Sequence, residues 1–366
     1  MEGMVIDPNF WKGKQVLVTG HTGFKGGWLS LWLQSMGATV IGYSLDPKTQ
    51  PNLFELGNIA HGMTSIIGNI QSLDTLKQVL TKFSPEIVFH LAAQPLVRES
   101  YKDPINTYAT NVMGTVHLLE AVRDTESVRV VVNITSDKCY ENREWVWAYR
   151  ETEALGGYDP YSSSKACAEL VAAAYRSSYF KDGGNNVALA TARAGNVIGG
   201  GDWSADRLVP DCLRAFQSGQ PVKLRSPYAV RPWQHVLEPL SGYILLAEKL
   251  MGDQGYLYTS GWNFGPDDRG DATVGEVAKT IAHLWGDNAQ VDIDTTKNQP
   301  HEAGLLRLDI SRVRAELGWS PRWTVKQALQ ATVDWHRAWI CGKDMRDYSL
   351  SQISNFQRNE LNGNMV

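Results

Sequence analysis

No segment of this 366-residue chain is apolar for long enough to span a bilayer, and its first residues, MEGMVIDPNFW, lack the basic start and apolar run of a secretory leader. Membrane insertion and secretion are therefore not expected, and the cytoplasm is the expected location. Cysteine is scarce: Cys139, Cys167, Cys212 and Cys341 are scattered without CxxC spacing, which supports neither a zinc site nor a redox pair and fits reduced thiols. Positive charge is in slight deficit, with 35 Lys and Arg against 39 Asp and Glu, a formal net charge of -4. No basic block is interleaved with aromatics, so a nucleic-acid footprint is not expected and any anionic ligand must be met by a local basic cluster. Internal repeats, low-complexity tracts and long linkers are also missing. What remains is an ordinary globular composition, 43% hydrophobic and 20% charged, with length enough for about two structural units.

Between residues 14 and 193 short β-branched runs alternate with amphipathic stretches. KQVLVTG, ATVIGYS, EIVFHLA, VRVVVNITS and NVALATAR read as strands, and the last three are nearly continuous in apolar residues, as strands covered on both faces are. Helical patterns fall at 24–36, 73–82, 104–123 and 159–180, with Pro104 suited to a first helical turn. This alternation predicts an α/β fold, a doubly wound parallel sheet with helices on both faces. Beyond Gly195 the rhythm changes. GNVIGGGDW and the turns around Pro221 and Pro227 start a smaller unit, 234–250 reads as helix, and WNFGP from Trp262 reads as a short strand and turn that rejoins the sheet. The second unit is expected to be discontinuous: residues 1–195 with about 235–265 form the larger domain, 196–234 with about 266–345 the smaller, and 346–366 a polar, poorly ordered tail.

The turn from the first strand into the first long helix, TGHTGFKG, puts glycines at 20, 23 and 26. Gly20 suits a tight turn, Gly23 lets backbone approach a pyrophosphate, and Gly26 lets helix pack closely on strand, while free N–H groups at the helix start face the phosphates. This is the pattern of a Rossmann-type dinucleotide site, although the triplet alone also describes a tight turn with no ligand. Asp46, in GYSLDP about 20 residues past the glycine loop, is placed to accept from a ribose 2′-hydroxyl. No arginine follows it, which favours NAD over NADP; it also reads as the start of the turn before Pro47. Asn69, in IIGNIQS, falls after the third strand, where its amide can meet an adenine edge.

Tyr161 and Lys165, in YSSSK, lie four residues apart and project from one helix face. A lysine cation beside a phenol favours the phenolate and makes the tyrosine a usable base. TGHTGFKG, HLAAQ, NVMGT, TSDK, YSSSK and RAGNVIGGGD occur in the order of the extended short-chain dehydrogenase/reductase family, which the chain resembles over nearly its whole length. The resemblance implies that Ser136, at the end of NITS, works with Tyr161 and Lys165 to exchange a proton with a sugar hydroxyl during hydride transfer. It also implies an NAD site built from Gly20, Thr22, Gly23, Phe24, Lys25, Gly26, Asp46, Asn69 and Ile70 on the adenosine and phosphate side. Leu91, Ala92, Ala93, Asn111, Thr135, Tyr161, Lys165 and Arg193 complete it.

Asp137 and Lys138 follow Ser136 directly. Loss of water across C5 and C6 of a sugar oxidised at C4 needs an acid for the C6 hydroxyl and a base for the C5 proton, which simple dehydrogenases and epimerases do not. The pair resembles that of the nucleotide-sugar 4,6-dehydratases, of which the dTDP-glucose branch has Asp-Glu where this chain has Asp-Lys. TSDKCYENREWVWAYRE, GHTGFKGGWLSLWL and RPWQHVLEPLSGY are similar to the branch that acts on CDP-glucose. That resemblance implies Asp137 as acid, Lys138 as base when neutral, CDP-4-keto-6-deoxyglucose as product, and a place in making dideoxy sugars for lipopolysaccharide O-antigen. Spacing alone does not choose cytidine over thymidine, guanosine or uridine. An epimerase or net dehydrogenase on this fold is one alternative, against which the Asp137 and Lys138 pair argues. A non-catalytic NAD-binding protein is another, against which the intact Ser136, Tyr161 and Lys165 set argues.

The diphosphate of a sugar nucleotide is matched by guanidinium groups, and Arg207, Arg225, Arg231 and Arg307 are the candidates, although each alone also reads as a solvated charge. The resemblance implies Asn196 at the diphosphate, with Gln94 and Arg98 near the sugar or its phosphate. Trp145, Trp147, Trp203 and Trp233 read as packing residues, any one of which can stack on a base. Ala166, Ala168, Ala172, Ala173 and Ala174 permit close helix packing. The equivalent helices form a dimer in the family, so a homodimer or a dimer of dimers is expected, with the alternative that the helix is buried against its own sheet. No metal ligand set is seen.

Overall fold

In the computed structural model, which describes residues 6–180, 186–267, 271–286, 289–293 and 304–358, the alternation closes into a seven-stranded sheet. Strands β1 (Gln15–Thr19), β2 (Thr39–Ser44), β3 (Thr64–Ile67), β4 (Ile87–His90), β5 (Val130–Ile134) and β6 (Ala188–Arg193) are joined by Gly261–Asn263 at one edge. The order is Gly261–Asn263, β6, β5, β4, β1, β2, β3, and every neighbouring pair is parallel. Parallel neighbours need crossovers, so helices cover both faces, and β4 and β5 are buried at every position. The order reverses between β1 and β4, which opens a crevice beyond their C-terminal ends.

Alternate strand residues feed two apolar layers. On one face Val16, Val18, Phe89, Val130 and Val132 pack with Trp28 and Trp32 of the helix Phe24–Ser35 and with Leu240, Tyr243 and Ile244 of the helix Leu237–Met251. On the other, Leu17, Val88, Val131 and Leu189 pack with Leu76, Leu80, Leu118, Val122 and Ala172. Each such aliphatic or aromatic side chain contributes about 1.5–3 kcal/mol when fully buried. A third cluster joins Val209, Leu213 and Phe216 of the helix Leu208–Gln217 to Val277 and Ile281 of Val274–Trp285 and Leu329 and Val333 of Val325–Ile340. Capping boxes, Thr273 with Glu276 and Thr324 with Gln327, start the last two helices. Two short ladders accompany them, Val222–Leu224 parallel to Val291–Ile293 and Val230–Pro232 antiparallel to Asp271–Thr273. Three residues are too few for a periodicity to show in sequence.

Elsewhere the structure departs from the sequence pattern in detail. The helix expected from 234 begins at Leu237, because Gln234 and His235 pair with Val197 and Ile198. The helical stretch 104–123 widens into a π-turn at Ala109–Met113, which carries Asn111. The expected tail is, over its first part, the helix Met345–Arg358, which buries Met345, Ile353 and Phe356. Phe356 meets Trp32 and Trp323 edge-on at centroid distances of 5.8 and 5.2 Å, so three apolar residues in a polar segment are enough to dock it. The rest of the tail, 359–366, lies outside the described residues.

Candidate active site

At the crevice, the glycine turn is dictated by contact. Gly20 has φ +77°, and a Cβ there would stand 2.8 Å from the Ala92 nitrogen; one on Gly26 would stand 2.1 Å from the Gly20 carbonyl oxygen. No other residue fits either position. The helix Phe24–Ser35 begins at the exposed Gly23 with no side-chain cap, which leaves its first N–H groups directed at the crevice as a pyrophosphate requires. Asp46 is exposed just past the end of β2. This cradle fits a dinucleotide such as NAD.

Several residues expected at the cofactor also hold the crevice in shape. Thr22 donates to the Leu45 carbonyl at 2.7 Å and meets Ser44 at 2.9 Å, which ties the glycine turn to β2. The Asn69 side chain accepts from Gln71 N at 3.0 Å, and Ile70 is buried beneath Gly114. Leu91, Ala92 and Ala93 follow β4, where Leu91 N and Ala92 N donate to the Thr19 carbonyl and hydroxyl at 3.2 Å each. Asn111 is buried, accepts from Gln94 N at 2.8 Å, and donates to the Gln94 carbonyl at 3.1 Å and Ser164 Oγ at 2.8 Å. It thereby locks the loop after β4 to the helix Pro160–Tyr175. Gln94 spends its own side chain on Leu96 and Thr107, so the expected sugar contact is replaced by a loop brace.

Two local devices bring the catalytic candidates together. Ser136 stands just past β5, and Asp159 caps the helix Pro160–Tyr175 by accepting from Ser162 N at 2.9 Å, which sets Tyr161 in the first turn. Ser136 Oγ donates to Asp137 Oδ1 at 2.9 Å, accepts from Lys138 N at 3.3 Å and lines the same cavity as Tyr161. Asp137 is 1% exposed, and its Oδ2 is buried with no protein partner. A Cβ on Gly195 would lie 1.9 Å from that oxygen, so only glycine leaves room for the carboxylate.

The electrostatics correct one expectation. Lys165 Nζ reaches the Ile134 carbonyl at 3.4 Å, and burial lowers its pKa to about 8. Tyr161 is not pulled down beside it. Burial pushes the phenol up to about 12, Asp137 adds to the rise, and the Ser136 hydrogen bond and Arg207 oppose it. Lys25, expected at the phosphates, lines the same cavity as Ser136, Asp137 and Tyr161. Burial, with Arg207 and Lys165, lowers it to about 7 against the pull of Asp137.

Arg193 is a second correction. Its guanidinium is buried against Glu169, Nε to Oε1 at 2.9 Å and Nη2 to Oε2 at 2.8 Å, and Nη1 donates to Tyr140 Oη at 2.7 Å and to the Glu151 carbonyl at 3.1 Å. Thr135 donates to the same Glu169 at 2.5 Å. A cation that has to share a dry site with a carboxylate forms that pair in preference to a distant cofactor contact. Glu169, one turn beyond Lys165 on the same helix, carries no motif and was not singled out in the sequence.

Lys25, Ser136, Asp137 and Tyr161 open onto a cavity of about 560 Å³, a size ordinary for a small-molecule site. Arg98, Asn196, Arg207, Arg225 and Arg231 all line it, together with Lys138 and Trp233. Arg307 is not among the lining residues; its Nη1 donates to the Val146 carbonyl at 3.3 Å. Trp147 is exposed, while Trp145 stacks on Tyr149 and Trp203 packs against Trp335 and Trp339. The arginines have counterions that the sequence did not single out: Asp202 accepts from Arg207 at 2.9 Å, and Asp206 meets Arg225 at 3.1 Å and Arg98 at 3.4 Å. Their clustering in DWSADR was the available signal. Among the described residues no group of His, Cys, Asp and Glu could hold a metal ion, and no helix is long and apolar enough to cross a membrane.

Comparison with known proteins converges on the same chemistry. The family model described as GDP-mannose 4,6 dehydratase matches residues 17–332. The chain is 56% identical over 355 residues, 96% of this chain and 98% of the other, to a CDP-glucose 4,6-dehydratase of Salmonella typhimurium. It is 27% identical to a dTDP-glucose 4,6-dehydratase of Xanthomonas campestris, with 92% and 98% covered. Among solved structures, a dTDP-glucose 4,6-dehydratase of Bacillus anthracis in complex with NAD matches with TM-score 0.74 at 25% identity, covering 89% of this chain and 97% of that one.

Proposed function

The chain belongs to the GDP-mannose 4,6 dehydratase family, and we propose that within it this enzyme is an NAD-dependent lyase that converts CDP-glucose to CDP-4-keto-6-deoxyglucose and water. The observation that carries the reading is the placement of Asp137 and Lys138 in one cavity with Ser136 and Tyr161, beside an arginine cluster fit for a diphosphate. The 56% identity to the Salmonella enzyme supports cytidine as the base. Gly20, Gly23, Gly26, Phe24 and Asp46 hold the cofactor, with Leu91 to Ala93 beside it. NAD, when bound, supplies a two-electron store that takes hydride from C4 and gives it back at C6.

The chain's own residues do the rest. Tyr161 takes the proton of the C4 hydroxyl, with Ser136 lining the same cavity and Lys165 one turn further along its helix. Oxidation at C4 makes the C5 hydrogen acidic; Lys138 removes it while Asp137 gives a proton to the departing C6 hydroxyl. Lys138 then restores the C5 proton. Arg98, Asn196, Arg207, Arg225 and Arg231 bind the diphosphate and sugar, and Trp233 closes the nucleoside end. We place the enzyme in the cytoplasm, in agreement with four free cysteines, and in the supply of deoxy sugars for surface polysaccharide. We expect a homodimer, which the exposed Ile105, Tyr108, Met113 and Leu170 on the helical stretches 104–123 and 160–175 support. The test is water loss from CDP-glucose, followed by mass; a product of unchanged mass with an inverted carbon, or one lighter by two hydrogens, would replace this reading with an epimerase or a dehydrogenase.

A further inference from the structure

We propose that Gln234 is a positioning residue for the acid of the elimination, acting through the Gly195 peptide against which Asp137 stands. This rests on the dehydratase reading above and on Asp137 as its acid. The two oxygens of that carboxylate are held differently. Oδ1 accepts from Ser136 Oγ at 2.9 Å, whereas Oδ2 is buried with no protein partner, and a Cβ on Gly195 would lie 1.9 Å from it. Contact rather than a hydrogen bond therefore fixes Oδ2, and a small rotation of the Gly195 peptide turns the acid about its Oδ1 anchor. Gly195 falls between β6, which ends at Arg193, and the short strand Val197–Ile198, so it belongs to no ladder of its own. Its neighbour Asn196 has φ +40°, a left-handed conformation that asparagine tolerates but that the surroundings have to hold.

Gln234 supplies that hold. Its side-chain Nε2 donates to the Gly195 carbonyl at 3.2 Å and to the Phe264 carbonyl at 2.8 Å, and its main-chain N donates to the Asn196 carbonyl at 3.3 Å. One residue thus grips two consecutive peptide units of the cavity wall. Two carbonyl acceptors also fix which end of the amide faces them, since only its NH2 group donates. The anchor behind the grip is firm. Phe264 N donates to the Arg193 carbonyl at 2.8 Å, next to the pairing of Gly261–Asn263 with β6, and Gln234 itself pairs with Val197. Gln234 is buried and is not among the residues that line the cavity, whereas Gly195, Asn196 and Trp233 are. It therefore works from behind the wall, without touching the substrate. An apolar side chain of the same length would fill the space but leave the Gly195 carbonyl without its donor, and the peptide could then turn.

The experiment compares the wild type with Gln234→Met and Gln234→Glu in single turnovers, each saturated with NAD and given CDP-glucose or its 6-deoxy-6-fluoro analogue, whose fluoride needs no acid to leave. Reduced nicotinamide is followed by absorbance, water loss by mass and fluoride by electrode. Methionine keeps the length of glutamine and has no donor. In Gln234→Met water loss falls about 10²-fold, as a displacement on the order of 1 Å would produce, while reduced nicotinamide forms at the wild-type rate and accumulates. Fluoride release stays at the wild-type rate. KM for CDP-glucose holds, because the main-chain bond to Asn196 does not depend on the side chain. Gln234→Glu keeps the shape and titrates: a neutral carboxyl donates to one of the carbonyls, and a carboxylate repels both. Its water loss therefore falls with rising pH more steeply than that of the wild type, while C4 oxidation keeps the wild-type profile. The proposal is overturned if water loss in Gln234→Met matches the wild type, or if oxidation, water loss and fluoride release fall together in both variants at every pH. A wild type that takes no water from CDP-glucose would sink the dehydratase reading itself, whatever the variants do.

Discussion

The two sides of the cavity are built in opposite ways. Ser136, Asp137, Tyr161 and Lys165 stand at the end of β5 and in a capped helix and are buried, with Ser136 bonded to Asp137 at 2.9 Å and Lys165 to the Ile134 carbonyl of β5 at 3.4 Å. Arg98, Arg207 and Arg225 line the same cavity, partly exposed, with Asp202 and Asp206 as counterions. The first side is assembled before any ligand arrives. The second is held by carboxylates paired with the arginines proposed for the diphosphate, so on that reading substrate binding exchanges one anion for another. Reaction chemistry tolerates little displacement, whereas recognition of a flexible diphosphate tolerates a good deal.

If that contrast is correct, small changes on the catalytic side have large effects. The largest is expected for Lys138→Ala and Asp137→Asn, which lose roughly 10²–10⁴-fold in the elimination rate while C4 oxidation persists, as reduced nicotinamide and product mass will report. An unimpaired elimination in Lys138→Ala would remove that residue from the base role. Gly195→Ala comes next. Its methyl would overlap Asp137 Oδ2, and a displacement on the order of 1 Å costs about 10²-fold in turnover with the circular dichroism spectrum unchanged.

Stability divides along the same line. Glu169→Ala strands the buried guanidinium of Arg193 and is expected to destabilise by about 3–5 kcal/mol in denaturant unfolding. Asp206→Asn, on the exposed side, changes stability by no more than about 1 kcal/mol and tightens binding of CDP in calorimetry, because a competing anion is gone. Equal effects from the two would erase the contrast. A pH slope is expected as well. Lys25 has a folded-state pKa near 7 against an ordinary 10.5, so between those values the unfolded chain binds more protons and stability rises with pH; Lys25→Met flattens that rise.

The same contrast governs what was legible in the sequence. TGHTGFKG, NITSDK and YSSSK are local, and each fixes its geometry within one turn of chain, so the dinucleotide crevice and the Ser136–Tyr161–Lys165 cluster could be read directly. Partners far apart in sequence could not. Nothing local marks Glu169 as the counterion of Arg193, 24 positions away, and the Asp206 pairing with Arg98 depends on how a turn meets the helix Val97–Lys102. The pKa of Tyr161 depends on burial, which spacing does not report. The helix Met345–Arg358 was missed because its apolar residues are too few to give a periodicity.

The most direct test is to give the protein NAD and each of CDP-glucose, dTDP-glucose, UDP-glucose and GDP-mannose, and weigh the products. The account predicts a sugar nucleotide lighter by one water from CDP-glucose and none from the others. A product of unchanged mass, or water lost from another nucleotide sugar and not from CDP-glucose, would contradict it.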